Sequence, residues 1–181
     1  ALIELYNSTL DKSYLEKAEA FCSETIKIFM DDKIGGFYLS DSDNTELFLN
    51  PKETYDGAIP SGNSVMTYNL VRLYQITGKN KYKEVLEKQI SFMSGKTSDY
   101  PSGNCMFLIA MILNEDCIPH ITIALKSQSD LDEIKEKLPF LANVSVVTER
   151  SDYPLLNNQT TFYVCKNRNC LPPSNSIDIL S

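Results

Sequence analysis

Positive charge is scarce in this chain: 17 Lys and Arg stand against 24 Asp and Glu, giving a net charge of −7 and a pI near 4.8. Nucleic acids and anionic membrane surfaces are held mainly by Lys and Arg, so no nucleic-acid partner is expected. Long apolar runs are also missing. The longest, Cys105 to Leu113, is far short of the roughly 20 residues that span a bilayer. Ala1-Leu-Ile-Glu-Leu5 is too short for a signal peptide and carries an acid. No membrane is expected, and a cytoplasmic setting is. There is one histidine, His120, so metal centres and acid/base pairs built on several histidines are excluded. Of the five cysteines only Cys165 and Cys170 are close in sequence, and zinc would need a second pair. Neither metal nor cofactor is expected. The odd number fits a reducing compartment, with Cys22 and Cys105 as small core residues and Cys165/Cys170 as a reduced structural pair.

What is there suffices for one core plus a small appended unit: 181 residues, 43% hydrophobic and 23% charged. Leu2-Ile-Glu-Leu-Tyr-Asn-Ser-Thr9 reappears as Leu70-Val-Arg-Leu-Tyr-Gln-Ile-Thr77, an offset of 68 residues. At that offset Tyr14 meets Tyr82, Glu16 meets Glu84, Glu19 meets Glu87 and Ser23 meets Ser91. This is a repeated helix–turn–helix. The second copy's first helix begins near Ser61, so the first copy lacks its beginning, and the chain is expected to be a fragment that opens inside a helix.

The pattern predicts helices over 1–9, 12–31, 61–77, 80–94 and 102–115. Tyr14, Ala18, Phe21, Cys22, Thr25 and Phe29 mark one amphipathic face; Tyr82, Val85, Leu86, Ile90 and Met93 mark the other. The helices over 61–77 and 102–115 are apolar nearly all round and are expected to be buried on most sides. Ser61 and Ser102, each after a proline, are candidate N-caps, and Gly78 a C-terminal cap. Alternating inner and outer helices predict a partial α/α toroid over 1–117. Inside it, Gly35–Leu49, with Asp41-Ser-Asp-Asn-Thr45 at its turn, reads as a β-hairpin insertion. After Pro119 the period shortens. Ile121–Leu125, a helix over 129–138 and Asn143–Thr148 read as a parallel β-α-β unit, with a third strand at Thr161–Cys165 and an irregular tail. The expected fold is thus mainly α, with a small α/β subdomain over 118–181. No glycine-rich phosphate loop follows its first strand.

Three strings are distinctive: Gly35-Gly-Phe-Tyr38, Pro51-Lys-Glu-Thr-Tyr-Asp-Gly-Ala-Ile-Pro-Ser-Gly-Asn-Ser64, and Tyr163-Val-Cys165 followed by Cys170-Leu-Pro-Pro173. Together they resemble the C-terminal part of the thioredoxin-domain-containing proteins of the spermatogenesis-associated type. That resemblance implies an N-terminal thioredoxin-like domain, absent here, ahead of a six-hairpin toroid similar to N-acylglucosamine 2-epimerases and six-hairpin glycosidases. The thioredoxin-like Cys motif is not in this chain, so its redox activity is not carried over. His120, in a strand outside the helical repeat, does not match a His-based epimerase.

The stretch Lys52–Ser64 is the expected site. Glu53 and Asp56 are candidate catalytic carboxylates, since sugar hydrolysis uses two carboxyl groups roughly 5–9.5 Å apart. Phe37, Tyr55, Ser61 and Asn63 are candidate substrate-binding residues, because a helix N-terminus offers unpaired N–H groups and aromatic rings stack on sugars. Asp99 and Asn104 are secondary candidates from the next repeat. Equally, Ser61 can simply cap, the acids can bind backbone amides or pair with Lys52 or Arg72, and the aromatics can pack. Three classes stay open: a carbohydrate-binding or carbohydrate-processing domain with a sugar-like ligand; a non-catalytic scaffold serving the N-terminal part of the same protein; and an inactive fragment that self-associates through its truncated toroid flank.

Overall fold

The computed structural model describes residues 1–41, 48–115, 118–139, 141–148, 152–166 and 169–180. Five longer helices come first: α1 (Leu2–Thr9), α2 (Lys12–Phe29), α3 (Gly62–Thr77), α4 (Asn80–Thr97) and α5 (Cys105–Asn114). A short helix α6 (Leu131–Lys137) then lies among the strands β1 (His120–Ala124), β2 (Asn143–Val147), β3 (Thr161–Lys166) and β4 (Asn169–Cys170). The fold is mainly α with a small α/β unit. No helix among the described residues is long and apolar enough to cross a membrane.

Local chemistry accounts for the helix ends. Asp11 accepts the Ser13 N–H at the start of α2. Ser61 caps α3, its hydroxyl accepting the Ser64 N–H at 3.1 Å. Gly78 ends α3 at φ 66°, its N–H returning to the Tyr74 carbonyl. One repeat earlier, Leu10 ends α1 in the same left-handed conformation, φ 56°. A leucine there costs roughly 1–2 kcal/mol. Leu10 is nevertheless buried, which offsets that cost. The expected cap at Ser102 is not formed. Pro101–Gly103 make a single 3-10 turn, α5 starts only at Cys105, and Ser102 is exposed.

The chain groups into two compact units. One comprises residues 1–15, 75–77 and those described after 115; the other comprises 16–74 and 78–115. In the first, β1 and β2 are parallel hydrogen-bonded neighbours with α6 between them in sequence, as the sequence pattern predicts. β3 pairs antiparallel with β1, and β4 with β3, giving the order β2-β1-β3-β4. The register aligns Ile121 with Val144 and Val164, and Ile123 with Val146 and Phe162. These side chains alternate onto one face, where they form a core with Leu131 and Ile134 of α6 and Leu180 of the tail. The tail is less irregular than expected: Ser174 pairs with Phe162 in a backbone bridge. Within the same unit, Asn143 donates to the Gln75 side chain, and Ser145 to the Ile76 carbonyl.

The cysteine pair departs from expectation. Cys165 and Cys170 are a disulfide rather than two reduced thiols. The reason is topological: the β3–β4 hairpin places them directly opposite one another. Cys22 is buried, as a core residue should be, whereas Cys105 is exposed.

The second unit holds most of the helical repeat. α3 has no exposed position from Asn63 to Thr77. α5 behaves differently. Phe107, Ala110 and Leu113 are buried, but Leu108, Ile109 and Ile112 join Cys105 on an exposed apolar stripe. On α2, Phe21 is also exposed rather than part of the buried face. The expected hairpin over 35–49 has its turn, residues 42–47, outside the described residues. In the described part, Phe37 forms an isolated bridge with Met30, and the Asn50 side chain bonds to both backbone groups of Ser40.

Candidate functional site

The stretch from Lys52 to Ser64 leads into α3, and the structure fixes what its side chains do. Asp56 is half-buried and bound at both oxygens. Oδ1 accepts the Ser61 N–H at 2.8 Å, and Oδ2 accepts the Met106 N–H at 2.8 Å. Its own N–H donates to the Gly103 carbonyl at 2.7 Å. One carboxylate therefore ties the start of α3 to the first turn of α5. A negative charge beside unpaired helix N–H groups is favourable, so Asp56 supplies from the preceding repeat the cap that Ser102 does not provide.

Asn63 is buried and fully engaged. Its Oδ1 accepts the Phe37 N–H at 2.7 Å, and its Nδ2 donates to the carbonyls of Phe37 and Glu53 at 2.9 and 2.7 Å. The amide thus stands in for a β-strand neighbour of Phe37. Gln89 of α4 donates to both the Asn63 carbonyl and its Oδ1. A buried amide with all its groups bonded fixes backbone position. Phe37 itself is buried, and Ser61 is buried as the α3 cap. In the second Pro-Ser-Gly-Asn string, Asn104 is buried and donates to the Tyr100 carbonyl, while Asp99 is exposed.

Glu53 and Tyr55 remain exposed. The Tyr55 ring lies parallel to that of Tyr100, with centroids 6.2 Å apart and a 6° interplanar angle. Gly103 permits this arrangement. A Cβ there would lie 2.4 Å from the Tyr100 ring and 2.9 Å from Tyr55, so any other residue would push the pair aside.

Lys52 pairs with neither Glu53 nor Asp56. Its Nζ lies 2.7 Å from Asp31 Oδ2 and donates to the Gly35 carbonyl, also at 2.7 Å. The ammonium also faces the rings of Tyr38 and Phe92 at 4.6 and 5.0 Å. Asp31 further accepts the Tyr38 hydroxyl and the N–H groups of Lys33 and Ile34. The Lys52 ammonium, more than these other donors, holds the Asp31 carboxyl well below the usual carboxylate range. The same carboxylate raises the Tyr38 phenol. Nothing in the spacing of Asp31 and Lys52, 21 residues apart, announced this cluster. Among the described residues no group of three or more His, Cys, Asp or Glu could hold a metal ion. His120 is half-buried in β1, opposite Asn143 and Cys165.

No protein-family model matches the chain. It is similar to spermatogenesis-associated protein 20 of Rattus norvegicus, 25% identical over 185 residues, which is 87% of this chain and 23% of the relative. The Homo sapiens protein of that name is 26% identical over 95% of this chain and 24% of its own length. An uncharacterised protein of Caenorhabditis elegans is 27% identical over 99% of this chain and 26% of its own length. The chain is therefore homologous to spermatogenesis-associated protein 20 over most of its own residues, and it spans about a quarter of the length of the curated relatives it matches.

Proposed function

We propose that this chain is a scaffold segment of a larger helical-repeat protein, whose α5 face receives helices from outside these residues. On this reading its role is structural rather than catalytic. The observation that carries this reading is the apolar stripe of Cys105, Leu108, Ile109 and Ile112, exposed on a helix whose opposite side is core. A surface of that composition on a helical hairpin array is where a further helix packs. The greater length of the relatives supports it, and the helix order fits part of an α/α toroid. The engagement of Asp56 adds support. Both Asp56 oxygens accept main-chain N–H groups, so this carboxylate has a structural task in joining two helix starts. A cytoplasmic setting is part of this reading, supported by the free thiols of Cys22 and Cys105.

The test is to place a charge on the stripe. Ile109→Asp should leave the stability of the chain alone unchanged within about 0.5 kcal/mol, as surface substitutions do. In a chain extended to the length of the relatives, the same change should cost several times more, since it buries an unpaired charge. Equal effects in both contexts would refute the proposal.

A carbohydrate-binding reading keeps one specific support, the exposed parallel rings of Tyr55 and Tyr100. It requires that Tyr55→Ala abolish any sugar binding detected by calorimetry.

A further inference from the structure

The α/β unit contains a cavity of about 550 Å³ that none of the residues discussed above as a candidate site touches. Its apolar floor comes from Ile121 of β1, Val164 of β3 and Leu180 of the tail, all buried, with Ile121 and Val164 directly opposite in register. Leu171, just past β4, is an exposed apolar part of its wall. The Leu171 N–H bonds to the Val164 carbonyl, and the Cys165–Cys170 bridge closes the same hairpin, so this wall is held in place. The volume lies in the range of small-molecule sites, which are mostly apolar with a few polar groups that set orientation.

Among the described residues, the charged groups lining this cavity are Lys137, in the last turn of α6, and Lys166, at the end of β3. Both are exposed, and neither forms an ion pair among the described residues. Two lysines at one apolar cavity stand out in a chain of net charge −7. The general field of such a chain repels anions, so a bound anion would have to be held locally.

We propose that this cavity binds an alkyl carboxylate, with its hydrocarbon tail against Ile121, Val164 and Leu180 and its carboxylate at Lys137 and Lys166. Tail burial supplies most of the affinity and is not directional. The lysines select the head group and set which end enters.

The probe is decanoate below its micellar concentration, titrated into the methyl-labelled chain and followed by NMR. Saturable shifts are expected at the methyls of Ile121, Val164 and Leu171. The uncharged decanol should bind about tenfold more weakly, and a Lys137→Gln, Lys166→Gln double variant should lose about tenfold in decanoate affinity. Leu171→Asp, at an exposed position, should abolish binding while the remaining spectrum stays dispersed. Absence of saturable shifts at these methyls overturns the proposal. Equal binding of decanol and decanoate, or an unchanged affinity in the double lysine variant, overturns it as well.

Discussion

The two copies of the helical repeat carry the same pattern and meet different fates. Leu73 on α3 is 1% exposed, whereas Leu5, its counterpart on α1, is 44% exposed. Gln89 on α4 is 0% exposed, whereas Phe21, its counterpart on α2, is 67% exposed. A polar amide is buried where an aromatic ring is not. The difference lies in what stands next to each helix. Gln89 on α4 bonds Asn63 in the first turn of α3, which accompanies its burial. Phe21 instead lies exposed on α2. α5 repeats the lesson within a single helix, with one side buried and the other exposed.

The sharpest way to test the contrast is truncation at matched positions. Leu73→Ala should cost roughly 2–5 kcal/mol, as buried leucines do, and Leu5→Ala about 0.5 kcal/mol. Urea unfolding of the two variants measures both, and similar losses would mean that the copies are equally packed.

A somewhat smaller effect is expected at Asp56. Replacing it by Ala strands the N–H groups of Ser61 and Met106, which should cost roughly 2–4 kcal/mol. Glu53→Gln, at an exposed side chain, should stay within about 0.5 kcal/mol. Comparable losses at both carboxylates would remove the distinction drawn between them.

The smallest effects concern pH and separate the two units. In the second unit, the Asp31 carboxyl is depressed chiefly by Lys52. Its contribution is complete above the unfolded carboxylate value, about 3.9, and is lost as the pH falls through the lower folded value. Lys52→Met should flatten that acid limb. In the first unit, burial pushes the Tyr6 phenol from 10.0 up to about 12, against a lowering backbone hydrogen bond from Val146. Its contribution is complete below the unfolded value near 10 and is lost as the pH rises toward about 12. Tyr6→Phe should flatten the alkaline limb. Urea midpoints measured across pH check both signs.

What the sequence made legible follows from periodicity. Apolar spacing placed all five longer helices to within a few residues, and the change of period after Pro119 marked the parallel β-α-β unit. Ser61 and Gly78 announced the ends of α3. Periodicity shows which side of a helix is apolar, but not whether anything covers it, so Phe21, Cys105 and the α5 stripe carry the pattern of core residues and are nonetheless exposed. The remaining misses are long-range pairings. Asp56 reaches Met106 across 50 residues, and Asp31 reaches Lys52 across 21. The Cys165–Cys170 bridge depended on a hairpin whose second strand has only two residues.

The most direct measurement is the alkylation rate of Cys105, resolved by mass spectrometry, in this chain and in a chain extended to the length of the relatives. Cys105 lies on the exposed stripe, and buried Cys22 serves as the internal control. If further helices pack on α5, Cys105 reacts quickly in the chain alone and at least tenfold more slowly in the longer protein, while Cys22 stays slow in both. Equal Cys105 rates in the two would contradict the scaffold reading.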